Sequence, residues 1–173
     1  MRVKASSIIG LKVVSLAKGE EIDEIGDLIY DSEAKNLVAV LVDHKFFPEA
    51  NIIPYPEIKG LGKDAVTIES SLAIKKASEL GRLPLESMKT NSSLKKMNVL
   101  TEGGTNLGRI AEVIFESQTG RVEEFEVSRG PVEDIRSGRK HLRLDKVLTV
   151  GVDNIIVTNQ TEAEFKGQKG GLK

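Results

Sequence analysis

An internal repeat constrains the fold of this sequence more than any other feature. The segment 19–42 aligns without gaps on the segment 104–127. Ile25, Ile29 and Val42 recur in the second copy, and the apolar positions keep their places throughout. Since self-similarity along a chain indicates copies of one structural unit, we expect two related halves.

A second matched block extends the repeat towards the C-terminus. The segment 53–68 aligns on 142–157, with Gly62 on Gly151 and Asp64 on Asp153. The second copy is longer between its two matched blocks than the first copy. We expect this difference to lie in an exposed loop, where insertions are tolerated.

The pattern inside each copy is one of strands and turns. With five Phe, two Tyr and no Trp, the core must consist mainly of Val, Ile and Leu, and the β-branched members favour strands. In the second copy, apolar positions alternate with polar ones on both sides of the turn-forming segment 117–120. Short strands at close spacing predict a mainly β fold, with each copy a small barrel or sandwich.

The segment between the two copies has a different period. Ala73, Ile74, Ala77 and Leu80 fall on one helical face, and this spacing predicts an amphipathic α-helix over 70–81. The predicted domains are a first β unit over 1–69, a helical connector and linker over 70–94, a second β unit over 95–158 and a disordered tail over 159–173.

Composition limits where the chain works and what it binds. Its 25 basic and 26 acidic residues give a formal charge of −1, so no global field attracts nucleic acid or an anionic membrane. The absence of cysteine excludes disulfides and thiolate chemistry. The chain has no apolar stretch of about 20 residues and no signal-peptide pattern. We therefore expect a cytoplasmic protein without a transmembrane segment.

The sequence offers little for catalysis. Its two histidines, His44 and His141, lie in equivalent loops of separate copies, and we expect both to be solvated. The acidic run at 20–24 lacks the alternating ligand spacing of a calcium loop, which indicates a solvated turn. The sequence therefore predicts no catalytic site, no metal site and no cofactor.

The order of the strand motifs resembles that of a known family. The first copy reads KASSIIGLKVVSLAKGEEIDEIGDLIYD, then VAVLVD, then IIPYPEIKGLGKDAVTI. A Gly-led strand, a turn, an Asp-containing strand, a valine-rich strand and a Pro-aromatic-x-x-Ile segment follow in the order of the PRC-barrel family. The second copy keeps this order, so the resemblance covers about 4–157 apart from the connector.

This resemblance implies two small PRC-type β-barrels in tandem, joined by a short α-helix, and used as docking modules. Related domains are the cytoplasmic part of the photosynthetic reaction centre H subunit and the C-terminal domain of a ribosome maturation factor. Two positions depart from the family pattern. Asp23 replaces the glycine that the second copy keeps as Gly108, and the segment 143–145 replaces Pro54-Tyr55-Pro56.

The outer face of the first copy is the leading candidate for partner binding. In the alignment, the outward Glu124 and Glu126 of the second copy correspond to Ala39 and Leu41. An apolar outer face needs a cover, which is either the connector or second unit of this chain, or a partner or second subunit. Phe46 and Phe47 in the adjacent loop either close the end of the barrel or anchor a partner.

A basic segment of the second copy is the alternative site. Local basic clusters bind phosphate even on a neutral protein, although here no aromatic residues interleave for base stacking and acidic residues flank the cluster. The alternative interpretation is a solvated loop and strand edge. The cluster consists of Arg136, Arg139, Lys140, Arg143 and Lys146.

These observations predict a non-enzymatic cytoplasmic adaptor that binds a protein partner. The rival interpretation is a ribosome-associated or RNA-associated maturation factor that uses the basic segment. Contact with a membrane would be peripheral and through a partner. Self-association through the apolar outer face stays open.

Overall fold

The computed structural model describes residues 1–42, 49–81 and 85–168. As the sequence predicts, these residues form a mainly β fold, and its α-helices are short. Within the described part of the chain, no helix is long and apolar enough to cross a lipid bilayer.

The N-terminal half forms two sheets. Their strand orders are β3-β2-β8-β7 and β10-β4-β5-β6-β9, and the parallel pairing of β2 with β8 joins the start of the first repeat to its end. β1 (Arg2–Lys4) belongs to neither of these sheets. Their strands are β2 (Lys12–Ser15), β3 (Glu20–Glu24), β4 (Asp27–Tyr30), β5 (Leu37–Leu41), β6 (Asn51–Pro54), β7 (Ile58–Leu61), β8 (Ala65–Ile68), β9 (Lys75–Lys76) and β10 (Lys89–Thr90).

The C-terminal half forms a single sheet of order β14-β13-β12-β11-β16-β15. Its parallel pair, β11 with β16, is the equivalent of β2 with β8. The strands are β11 (Asn98–Thr101), β12 (Asn106–Glu116), β13 (Val122–Ser128), β14 (Lys140–Arg143), β15 (Val147–Val150) and β16 (Asn154–Val157), and the helices are α1 (Asn91–Leu94), α2 (Pro131–Ser137) and α3 (Gln160–Gly167).

The two halves differ because one strand breaks in the first repeat and continues in the second. Between β3 and β4 the first repeat has Ile25 and Gly26, whereas β12 runs on through the equivalent Ile110 and Ala111. There β12 has a bulge, seen as a register shift against β13, and bulges bend a strand without ending it. The described strands form open ladders, so the two closed barrels predicted from the sequence are not confirmed.

The repeats exchange their first strands. β1 precedes the first repeat but pairs antiparallel with β12 of the second, with Val3 opposite Phe115. β10 precedes the second repeat but pairs with β4 of the first, with Lys89 opposite Tyr30. Because Phe115 and Tyr30 are equivalent positions, this exchange is reciprocal.

A matching pair of side-chain contacts follows each exchanged strand. The Ser6 hydroxyl donates a hydrogen bond to Glu112 of the second repeat, and the Ser6 N–H donates to the same carboxylate at 3.2 Å. Ser92 makes the equivalent bond to Asp27 of the first repeat. Both serines are exposed, but Glu112 is buried whereas the equivalent Asp27 is only half-buried. The two contacts tie each repeat to its neighbour.

The two repeats share one hydrophobic core. The main cluster of buried side chains contains residues from both halves. Tyr55 of the first repeat packs edge-on against Phe115 at 6.5 Å between ring centroids, and its hydroxyl donates to the Ser117 carbonyl at 2.7 Å. Burial, aided by the Glu116 carboxylate, raises the pKa of Tyr55 to about 12.

The prediction of an amphipathic α-helix over 70–81 is wrong. This segment forms a 3₁₀ turn at Ser71–Ala73, then β9, then a second 3₁₀ turn at Ala77–Leu80. β9 pairs with β6 and so extends the sheet of the first repeat. Ala73 and Ala77 are buried as the pattern requires, but an extended chain with tight turns buries them without a helix.

The tail predicted to be disordered over 159–173 begins with α3. Thr161 and Phe165 lie one helical turn apart on this helix and are both buried. The Gln168 side chain then pairs with the backbone of His141 in the edge strand β14, accepting from N–H at 2.7 Å and donating to C=O at 2.9 Å. The C-terminal segment up to Gln168 is therefore docked on the second repeat.

Candidate docking surface

The insertion that lengthens the second repeat is the helix α2, between β13 and β14. Pro131 occupies its first turn, where its missing N–H is not needed. Asp134 fixes the start of the helix, because its carboxylate accepts from the Ser128 hydroxyl at 2.6 Å and from the Arg129 N–H at 3.2 Å. Gly138, with φ of 70°, ends it. These contacts hold a short helix in a fixed position at the surface.

Two large apolar side chains of α2 face solvent. Val132 is 65% exposed and Ile135 is 71% exposed. Because they are three residues apart, they lie on the same side of the helix. Exposed apolar side chains of this size are common singly, but an adjacent pair on a fixed element marks a candidate contact surface.

Three arginines near α2 have no charged partner. The side chains of Arg109, Arg129 and Arg136 are exposed, and the structure gives them no ion pair and no side-chain hydrogen bond within its described residues. Arg109 and Arg129 line one shallow depression, and Arg129 and Arg136 line a neighbouring groove of about 500 Å³. The guanidinium groups thus remain available to an external carboxylate or phosphate.

The face of the sheet beside α2 is charged, but its charges are satisfied. The Glu126 carboxylate contacts Lys4 at 2.6 Å and Arg139 at 3.2 Å, and Glu124 contacts Arg2 at 2.6 Å. Burial alone would raise the pKa of Glu126, but the hydrogen bonds from Lys4 and Arg139 outweigh it and hold this pKa below its usual range. The ion pairs on this face therefore hold β1 against the second repeat.

The family comparison agrees with the repeat. The family model of the PRC-barrel domain matches residues 1–73 and 86–164. The chain belongs to the PRC-barrel domain family. Among curated proteins, none matches it at a significant level. The second match begins before Lys89, so β10 and α1, which the sequence assigned to a linker, belong to the second PRC repeat.

The partner-binding residues predicted on the first PRC repeat are not at a free surface. Ala39 is fully buried and Leu41 is 9% exposed. They pack in a small cluster with Ala77 and, at its edge, Leu80 and Met88. The sequence left open whether the connector or a partner covers this face. In the structure, the connector covers it. The assignment of these two residues to an external partner is therefore corrected.

Phe46 and Phe47, the other two residues predicted to bind a partner, lie outside the described residues. In the sequence alignment of the two repeats, they correspond to the segment that contains α2 in the second repeat. Their proposed role as an anchor stays a prediction.

The basic segment predicted to bind an anion is divided by the structure. Lys140 and Arg136 line the groove behind α2. The other three residues are paired with carboxylates of this chain. Those pairs are Arg139 with Glu126 at 3.2 Å, Arg143 with Asp145 at 3.1 Å and Lys146 with Glu164 at 3.4 Å.

Sequence reasoning missed four residues of this surface. Val132 and Ile135 stood in the inserted segment, and two apolar residues in an otherwise polar insertion were the available signal. Arg109 and Arg129 are separated along the sequence, and only the pairing of β12 with β13 brings them close: Arg109 lies opposite Ser128 in the register.

Proposed function

We propose that this PRC-barrel protein is a non-catalytic docking module of the cytoplasm that binds a protein partner through α2 of its second repeat. The partner presents an apolar patch bordered by carboxylates. One observation carries the proposal: Val132 and Ile135 are exposed together beside the unpaired Arg129 and Arg136. Arginine is enriched at protein interfaces and their hot spots, and the two exposed apolar side chains beside it would be shielded from water by a partner.

Charge complementarity supports a carboxylate-bearing partner. Arg139, Arg143 and Lys146 of the predicted cluster already contact carboxylates of this chain, whereas Arg109, Arg129 and Arg136 do not. Membership in the PRC-barrel family supports a binding module rather than an enzyme.

A protein partner is favoured over RNA by the lack of stacking groups. Single-stranded RNA is held by aromatic side chains as well as by basic ones. The aromatic residue that lines the groove, Phe165, is only 4% exposed. RNA binding is kept as an outcome of the test.

The test is affinity capture from native cell lysate with and without ribonuclease, followed by measurement of Kd with the purified partner. The variant carries Val132→Ser and Ile135→Ser. Its matched control carries Leu148→Ser and Val152→Ser, which remove equally exposed apolar side chains, 53% and 85% exposed, at β15 and the turn after it. We expect the α2 variant to bind at least about tenfold more weakly and the control to bind normally.

Each other result has a definite meaning. An equal loss of partner affinity in both variants would indicate a general effect of surface hydrophobicity. Unchanged affinity in both variants would show that α2 is not part of the interface. Capture that disappears with ribonuclease would replace the protein partner by RNA. Circular dichroism of each variant checks that the fold is retained.

A further inference from the structure

The groove behind α2 contains a buried lysine without an acidic partner. Lys140 is only 7% exposed. Its ammonium group donates one hydrogen bond, to the Gln168 carbonyl at 2.6 Å, and forms no ion pair within the described residues. An ammonium group has three donors and a full charge, so a single carbonyl leaves most of its bonding capacity unused.

A buried charge without a counter-ion is costly unless another group compensates it. Elsewhere in the same sheet the chain supplies such compensation, since the buried Glu126 contacts both Lys4 and Arg139. At Lys140 the compensating group is missing from the described chain. Lys140 thus differs from Glu126 in having no counter-charge within the described residues.

The charged side chains in the rest of the groove are positive on balance, with three cations and two carboxylates. Arg129 and Arg136 line it from the side of α2, and Lys166 lines it from α3. The two carboxylates of the lining are already engaged: Glu162 contacts Lys166 at 3.1 Å, and Glu133 accepts from the Ser137 hydroxyl at 3.2 Å. Lys140, Arg129 and Arg136 form no ion pair within the described residues, and the groove keeps a net positive charge.

The wall of the groove is fixed before any ligand arrives. Gln168 bonds both backbone groups of His141 and so locks the end of α3 onto β14. Phe165 is buried at the same end of α3. A preformed wall lowers the ordering cost of binding.

We propose that this groove is an oxyanion-binding site, and that it receives a carboxylate of the protein partner docked on α2. Lys140 holds the oxyanion at the buried side, and the two guanidinium groups of Arg129 and Arg136 close around it at the rim. The site itself stands on the groove alone. The carboxylate as its occupant rests on the proposed function.

The experiment is a titration of the full chain at low salt, followed by amide chemical shifts and calorimetry. One arm uses a terminally blocked triglutamate peptide, and the other uses inorganic phosphate. The variants are Lys140→Met, which keeps the length of the side chain, and the exposed Arg136→Gln. The control is Arg121→Gln, which removes an exposed arginine at the opposite end of the β12–β13 hairpin.

We expect saturable peptide binding that weakens by about tenfold or more in Lys140→Met and in Arg136→Gln but not in Arg121→Gln. Shift changes should centre on 129–140 and on the end of α3. If Lys140→Met does not fold, Arg136→Gln still decides the question. Peptide affinity that is the same in all three variants would overturn the site.

Two further results separate the parts of the proposal. Saturable phosphate binding without peptide binding would support the oxyanion site and overturn the carboxylate as its occupant. The Val132→Ser, Ile135→Ser variant keeps every charged residue of the groove, so its peptide affinity should be unchanged while it loses the partner. Loss of partner capture together with normal peptide binding in that same variant would show that docking and anion binding are separable.

Discussion

The two PRC repeats keep one strand pattern but use their outer faces differently. In the first repeat, Ala39 and Leu41 lie under the connector. In the second repeat, the equivalent Glu124 and Glu126 hold the exchanged strand β1 through ion pairs. Each outer face is thus covered by a segment of this chain, one by apolar packing and one by charge. The two outer faces therefore differ in chemistry, although each of them packs against another segment of the same chain.

The ends of the equivalent β-hairpins in the two repeats differ in the sign of their charge. The first repeat carries Glu21, Asp23 and Glu24 where the second has Asn106, Gly108 and Arg109. The inserted α2 lies next to the basic end. In our proposal, the first repeat supports the fold and the second repeat binds.

The largest expected effect on the free energy of unfolding comes from making the outer face of the first repeat resemble that of the second repeat. Ala39→Glu places an unpaired carboxylate in a fully buried position and should lower the free energy of unfolding by about 3–5 kcal/mol. The reciprocal Glu124→Ala removes a half-buried ion pair and should lower it by about 1 kcal/mol or less. Urea denaturation at neutral pH measures both. Native stability in Ala39→Glu would mean that the connector is not a fixed cover.

The next effect tests the glycine that only the second repeat keeps. Gly108 has φ of 131°, and an added Cβ would lie 2.4 Å from the Ser128 carbonyl oxygen. Gly108→Ala should therefore lower the free energy of unfolding by about 3 kcal/mol. Asp23→Gly, at the equivalent and exposed position, should change it by about 0.5 kcal/mol or less. Similar values for the two variants would contradict the close approach of β12 to β13.

The third effect compares the two serine contacts. Ser6→Ala leaves the buried Glu112 carboxylate short of a donor and should lower the free energy of unfolding by about 2 kcal/mol. Ser92→Ala affects the more exposed Asp27, and about 0.5 kcal/mol is expected. Thermal unfolding of both variants checks the order. A reversed order would show that burial does not distinguish the two contacts.

The smallest effect is a pH dependence at Glu126. Because its pKa is lowered in the folded state, its stabilising contribution is present above the unfolded pKa of 4.5 and is lost as pH falls through the folded pKa. Lys4→Met should raise this pKa and lower the free energy of unfolding at pH 7 by about 1 kcal/mol. The difference should shrink in acid, and urea denaturation at pH 7 and pH 3 measures it.

The control for this last variant is Lys12→Met, which breaks the exposed pair with Glu24 in the first repeat. We expect its effect to be smaller than that of Lys4→Met at every pH. A pKa of Glu126 that does not move in Lys4→Met, followed by carboxyl chemical shifts, would contradict the contact between β1 and β13.

The repeat, the strands and the family could be predicted from the sequence because alternation and turn residues are local signals. The connector could not, since Ala73 and Ala77 fit a helical face and an extended strip equally well, and tertiary packing decided between them. The tail was missed because Thr161 and Phe165 are only two buried positions in a polar segment. The composition of the segment therefore gave no indication that α3 packs against the second repeat.

The residues of the candidate docking surface were predicted only in part. Arg136 and Lys140 were identified from their cluster, but whether a cation is paired depends on distant carboxylates such as Glu126. The burial of Ala39 was similarly decided by a segment far along the chain. The strand exchange left no signal either, because the pattern at 2–4 predicts a strand without predicting its sheet.

The exchange of first strands has a consequence for synthesis on the ribosome. β1 is translated before the first repeat, yet its pairing partner β12 leaves the ribosome only after the whole first repeat has been made. The first repeat in turn waits for β10 before β4 gains its neighbour. Pairings between such distant segments are slow to form, so we expect neither repeat to fold independently while the nascent chain is growing.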